Sequence, residues 1–175
     1  MSETVRYIPG YILGFTVFII LIPFGLYSLY RYDCLFSGRI IFSSDILRYL
    51  ISVLVFLTGA YFAIWSNIFL FRIGKGGPVD AFGVSITPRT RNLVTTGPYR
   101  CSRNQMVLGA FLVYSSIVLY LNSITGVICL IILLIIMIIF LKMSEEKRLL
   151  KDFGDEYIDY KKKVSILLPI KMIRR

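Results

Sequence analysis

The chain has 175 residues, of which 57% are hydrophobic and only 17% charged, with a mean hydropathy of +0.74. A soluble domain sits near half apolar and a quarter charged, so this composition is that of a membrane protein with room for one compact unit. Histidine is absent and Cys34, Cys101 and Cys129 lie far apart, which excludes a His-dependent metalloenzyme or hydrolase and leaves neither a disulfide framework nor a thiolate metal site to read. Twenty Lys and Arg stand against ten Asp and Glu. Because a charge at the bilayer centre is costly, the basic excess must lie outside the apolar spans, and it is read as a topology signal and not as a nucleic-acid surface.

Three stretches carry no charge: Tyr7 to Tyr30, Tyr49 to Phe71, and Asn104 to Leu141. A helix needs about 20 apolar residues to cross the hydrocarbon. The first two stretches fit one helix each. The third is nearly twice as long and is interrupted at Asn122-Ser123 before Gly126, which predicts a tight helical hairpin. The expectation is an all-α polytopic membrane protein, a single domain over 1–175, with spans at 8–30, 47–71, 105–121 and 124–142. Within it, 1–71 supplies two N-terminal spans and 72–175 the polar, chemistry-bearing part. The first span ends in bulky Leu29-Tyr30, unlike a cleaved signal peptide.

Lys and Arg in short loops disfavour translocation. The 72–104 segment carries Arg72, Lys75, Arg89, Arg91, Arg100 and Arg103 against Asp80 alone, and the chain from Lys142 onward carries ten basic residues. Both are expected on the cytoplasmic side with the N-terminus, and the 31–45 linker outside. Lys161 to Lys163 and Arg174-Arg175 read as anchors to anionic lipid. Oligomeric state is not readable.

The 72–104 loop is dense in turn formers, Gly74, Gly76, Gly77, Pro78, Gly83, Pro88, Gly97 and Pro98, which argues for a chain folded back on itself. Phe82, Val84, Ile86, Leu93, Val94 and Tyr99 spread through it predict that it packs on something. Ser144-Glu145-Glu146 directly continue the fourth span, so a rigid helix would hold both carboxylates just beyond the apolar boundary, about 100° apart around the axis. Further on, Phe153, Tyr157, Tyr160 and Val164 recur at i, i+4, i+7 and i+11. That spacing predicts an amphipathic tail helix beginning after Gly154, either lying on lipid or covering a site.

Thr96-Gly97-Pro98-Tyr99-Arg100-Cys101-Ser102-Arg103-Asn104-Gln105-Met106-Val107-Leu108-Gly109, then the apolar hairpin, Glu145-Glu146, and Phe153-Gly154-Asp155-Glu156-Tyr157-Ile158-Asp159-Tyr160 resemble the isoprenylcysteine carboxyl methyltransferase and phospholipid methyltransferase superfamily. The resemblance covers about the C-terminal half, in the order G-P-Y, R-H-P-x-Y-x-G, hairpin, E-E, F-G-x-x-Y-x-x-Y. Asn104, Gln105 and Val107 replace the family's His, Pro and Tyr.

The resemblance implies S-adenosylmethionine as methyl donor, bound at the cytoplasmic face, and methyl transfer to a lipophilic acceptor in the bilayer. It implies a catalytic group of Arg103, Asn104, Glu145 and Glu146, and a cofactor-binding set that adds Gly97, Pro98, Tyr99, Arg100, Tyr157 and Tyr160. The chemistry fits these residue types. A guanidinium grips the ligand's carboxylate, Arg103 before Arg100. Glu145 or Glu146 suits its ammonium or ribose, and the tyrosine rings suit the adenine and sulfonium. Without His, a carboxylate acceptor is favoured over an amine that must first lose a proton. No metal is required. Two other readings remain open: an NADPH-dependent lipid or sterol reductase, and a non-catalytic lipid-binding relic of the fold.

Overall fold

The computed structural model describes residues 12, 14–36, 41–75, 80–81, 84–85 and 90–167, those between 80 and 85 by their backbone alone. In the first charge-free run Pro23 has no N–H to donate and its ring crowds the preceding turn. The chain runs as a π-helix over Thr16–Leu21 before α1, Ile22–Tyr30. Phe18 lies five residues before Pro23, so the wider register leaves its carbonyl without a helical donor. The Tyr114 hydroxyl donates to it instead, at 2.9 Å.

A 3₁₀ segment, Arg31–Phe36, leads towards α2, Asp45–Phe69, where the Ser44 hydroxyl accepts from the Leu47 amide and Asp45 faces the positive end of the helix dipole. A π turn, Leu70–Gly74, ends at Lys75 in the left-handed region (φ 52°). The last carbonyls of this helix are capped from the far end of the loop. The Arg91 amide donates to Gly74 O at 2.7 Å and the Asn92 side chain to Ile73 O at 3.0 Å. The loop thus returns to the helix it left, as its turn-former density predicts. Val94 and Tyr99 are buried, whereas the side chains of Phe82, Val84 and Ile86 lie outside the described residues. A two-residue antiparallel ladder, β1 Asp80–Ala81 with β2 Val84–Ser85, is the loop's one extended piece among the described residues.

α3, Gln105–Leu121, and α4, Ile124–Phe140, form the expected hairpin, turning on Asn122 in the left-handed region (φ 55°) with the Ser123 hydroxyl accepting from the Gly126 amide at 2.9 Å. α4 continues through a π turn, Leu141–Glu145, into α5, Glu146–Lys163, which kinks at Gly154 (φ 53°, ψ −125°).

The molecule is all-α apart from the small ladder. Helices over Thr16–Leu35, Asp45–Gly74 and Ile124–Lys163 are long and apolar enough to cross a membrane, the last through its uncharged part ending at Leu141. α3 matches the expected third span but has only 17 residues, about 25 Å at 1.5 Å per residue, the short end of what spans hydrocarbon. The outward face of α4 carries Ile128, Ile131, Ile132, Ile135, Ile136 and Ile139, all exposed, a surface that lipid solvates and water does not.

α2 and α3 meet through glycines. A Cβ on Gly59 would lie 2.8 Å from Gly109 O, and one on Gly109 2.6 Å from Ala63 N, so two backbones touch where side chains would hold them apart. Leu26, Tyr114, Val118 and Leu130 join α1, α3 and α4 in one buried cluster. At the hairpin end, Asn122 Oδ1 accepts from the Ile41 and Phe42 amides, both at 2.9 Å, and Asp33 Oδ1 accepts from the Thr125 amide at 2.8 Å. These bonds fix the 31–45 linker to the α3–α4 turn. The long loop and the tail gather at the opposite end.

Candidate functional site

Gly97–Arg100 forms a 3₁₀ turn at the foot of α2. Gly97 has φ +60°, and a Cβ there would lie 2.2 Å from Phe69 Cε1, so only glycine brings the turn this close to the helix. Pro98 is fully buried. The Tyr99 hydroxyl shares a hydrogen bond with Ser66 Oγ of α2 at 2.8 Å, and its carbonyl accepts from the Tyr160 hydroxyl at 2.7 Å. The turn is thereby tied both to α2 and to the tail helix.

The next residues bind the chain beyond α5. The Arg103 amide donates to Ser165 O at 3.0 Å. Ser102 Oγ and Asn104 Nδ2 both donate to Ile166 O, at 3.1 and 3.3 Å. Asn104 is the N-cap of α3 but makes no side-chain cap.

The centre is an ion cluster. Arg103 Nη1 donates to Glu146 Oε1 at 2.5 Å and to the Tyr157 hydroxyl at 2.9 Å, and Lys161 Nζ donates to Glu146 Oε2 at 2.5 Å. The side chains of Arg103 and Glu146 are 8% and 9% exposed, that of Lys161 51%. Tyr157, Tyr160, Val164, Val94 and Tyr99 pack around it, with Phe153 and Leu149 at the edge. The predicted i, i+4, i+7, i+11 stripe is therefore the inward face of α5, and it packs on the loop and not on lipid. Burial raises the pKa of the Tyr99, Tyr157 and Tyr160 phenols, so all three stay protonated near neutral pH and none is a base there.

Glu145 stands one position round the helix, its Oε1 4.0 Å from an Arg148 nitrogen. It lies beyond Lys142, outside the uncharged span. Desolvation first and the neighbouring Glu146 charge second push its pKa up to about 7, with Arg103 opposing. Its side chain keeps 36% of its surface exposed, and water on that side moderates the shift.

Of the sequence-predicted residues, Tyr99, Arg103, Glu146, Tyr157 and Tyr160 converge, Gly97 and Pro98 shape the turn that holds them, and Asn104 joins the knot through the tail. Arg100 does not converge; it is exposed. Lys161, expected only as a lipid anchor, instead completes the Glu146 pair. Its spacing of four from Tyr157 puts it on the inward stripe, a signal the run of three lysines hides. Ser66 and Ser102 were not among the predicted site residues. Arg174-Arg175 lie outside the described residues. Three buried polar atoms in the same knot, Arg103 Nε, Gln105 Oε1 and Ser165 Oγ, have no hydrogen-bond partner among the described residues.

The sequence model of a family described as Phospholipid methyltransferase matches residues 47–156, from α2 to the start of the kinked tail helix. No curated protein and no solved structure matches the chain.

Proposed function

From the premise that the chain belongs to the phospholipid methyltransferase family, we propose that it transfers a methyl group from S-adenosylmethionine to a lipid acceptor at the Arg103–Glu146 end of the bundle. The observation that carries this reading is the meeting of Arg103, from the loop before α3, with Glu146 and Tyr157, from either side of the α5 kink, in one buried ion cluster. The donor set suits the ligand. Arg103 Nε has no partner among the described residues, and the guanidinium can take a carboxylate through two N–H groups. Glu146 and Glu145 offer negative charge to an ammonium or to ribose hydroxyls. Gln105 Oε1 and Ser165 Oγ are further polar atoms without a partner among the described residues.

When bound, S-adenosylmethionine supplies an electrophilic methyl group with a neutral thioether as leaving group, a reaction that asks the protein mainly for positioning and desolvation. Arg103, held by Tyr157, orients the ligand's carboxylate. The Tyr99, Tyr157 and Tyr160 rings exclude water. Glu145, whose pKa is pushed up by burial and by the neighbouring Glu146 charge, is a group able to take a proton from an amine, so an amine acceptor stands beside the carboxylate acceptor as a second candidate. The basic loop and tail support a cytoplasmic placement of this end.

Calorimetry of detergent-solubilised protein with S-adenosylmethionine, S-adenosylhomocysteine and NADPH tests the reading. Saturable binding of the first two is expected in the wild type, with loss in Arg103→Ala. Wild-type affinity in that variant, or binding of NADPH alone, overturns it.

A further inference from the structure

The buried ion pair raises a question of access. Arg103 and Glu146 are more than nine-tenths covered, and what covers them is α5 beyond its kink: Tyr157 on the guanidinium, Lys161 on the carboxylate, and residues 165–166 on the backbone of 102–104. Two surface grooves, one along Ala63 to Arg72 of α2 and the π turn after it, the other along Phe24 to Tyr32 of α1 and the 3₁₀ segment after it, include none of these residues. A ligand that is to reach Arg103 must move the covering segment or an ion partner.

We propose that residues 155–167 are a strap that latches the site shut when it is empty, with Gly154 as hinge and Lys161 as the latch. This rests on the methyl-donor reading above. The hinge is set by geometry: Gly154 has φ 53° and ψ −125°, and a Cβ there would meet nothing within 4 Å, so glycine is required by the backbone conformation and not by packing. Such a residue absorbs the dihedral change of a swinging segment. The latch mimics the ligand. Glu146 gives Arg103 the carboxylate that the ligand's amino-acid end would bring, and Lys161 gives Glu146 the ammonium. Lys161 therefore competes with the ligand for Glu146 and adds a positive charge beside a cationic sulfonium. Being half exposed, it contributes a weak, releasable bond. Lys161 on this account works against binding, the opposite of what a lysine that holds the ligand would do.

The test is association kinetics of the wild type and Lys161→Met with S-adenosylmethionine and with S-adenosylhomocysteine, alongside amide hydrogen exchange of 155–167 in the ligand-free proteins. Lys161→Met is expected to associate about two- to five-fold faster, the range set by one exposed ion pair. The gain should be larger for the cationic sulfonium than for its uncharged thioether product, and amides of 155–163 should exchange faster. Gly154→Ala, strained at this φ, should likewise speed exchange of the strap. Slower or unchanged association in Lys161→Met, with wild-type binding intact and lost in Arg103→Ala, overturns the latch and leaves the methyl-donor site standing. Unchanged exchange in both variants overturns the strap, and a wild type that binds neither compound overturns the latch together with the site.

Discussion

Replacing Glu146 by Gln tests the ion cluster without any ligand. The change keeps the side-chain volume and removes the charge that neutralises Arg103, whose side chain is 8% exposed. Removing one partner of a buried pair costs about 3–5 kcal/mol, because the other charge is left in a medium that solvates it poorly. The Tyr157 hydroxyl still accepts from Arg103, which places the expected loss at the lower end, about 3 kcal/mol. Lys161, half exposed, turns into water and adds at most about 1 kcal/mol. The decisive variant is the double one, Arg103→Met with Glu146→Leu: with neither charge left to solvate, it should be more stable than Glu146→Gln alone. Unfolding in mild detergent, followed by helical circular dichroism and by the single Trp65, gives the free energies of the wild type, of Glu146→Gln, of the singles Arg103→Met and Glu146→Leu, and of the double change. If the double change costs the sum of the singles to within about 0.5 kcal/mol, the residues are not coupled and the cluster as described is wrong.

Gly109→Ala is expected to cost about 1–3 kcal/mol by overpacking, since its Cβ would lie 2.6 Å from Ala63 N, whereas Gly25→Ala, with nothing within 4 Å, should be near neutral; equal effects in the same unfolding assay would refute the close α2–α3 contact. Asn122→Ala removes the side chain that makes three hydrogen bonds to the 41–42 backbone and puts a less tolerant residue in the left-handed region, for an expected loss of about 2–3 kcal/mol; a loss under about 0.5 kcal/mol would show that the linker is not held there. Glu145 predicts a pH dependence. Its folded pKa of about 7 lies above the 4.5 of an unburied glutamate, so the folded state binds the extra proton, and the stability this gives is present below pH 4.5 and lost as pH rises through 7. Thermal melts across that window should fall in the wild type and flatten in Glu145→Gln, and identical profiles would refute the shift.

Much of the fold was legible because bilayer solvation is read from charge alone: uninterrupted uncharged runs mark helices and Asn122-Ser123 marks the turn between two of them. The α3 span matches to the residue, since Asn104 and Asn122 at its ends are strong local signals. The π-helix at Thr16–Leu21, just ahead of Pro23, is not legible, because an uncharged run marks a helix without marking where its hydrogen-bond register widens. The α2–α3 contact was missed for a different reason: Gly59 and Gly109 stand 50 positions apart, and no local pattern says which glycines meet. In the site, spacing identified Tyr157 and Tyr160 and the resemblance identified Arg103 and Glu146. Neither identified Arg100 as exposed or Lys161 as inward, because a run of like charges looks solvated whichever member turns to the core.

The departures at Asn104 and Gln105 acquire a meaning once the tail is in place. Asn104 uses its amide to donate to Ile166 O, a task that needs a neutral N–H donor and no titration, so a residue that cannot act as a base still holds the strap. Gln105 occupies the first turn of α3, where proline is suited only because that turn has amides without acceptors. Asn104 lies where the tail docks, Gln105 is buried beside it, and neither side chain takes part in the hydrogen bonds among Arg103, Glu146, Tyr157 and Lys161; the Val107 departure has no structural explanation. That distribution bears on whether the chain has kept the fold and lost the chemistry. A buried ion pair adds little net stability over well-packed apolar residues of similar volume, so folding alone gives no reason to place Arg103 and Glu146 under a tyrosine and a lysine. A lipid-binding relic would be at least as stable with Met and Leu there. The retained charges accord with the methyl-donor site proposed above, where a ligand carrying both signs of charge would exchange with the pair.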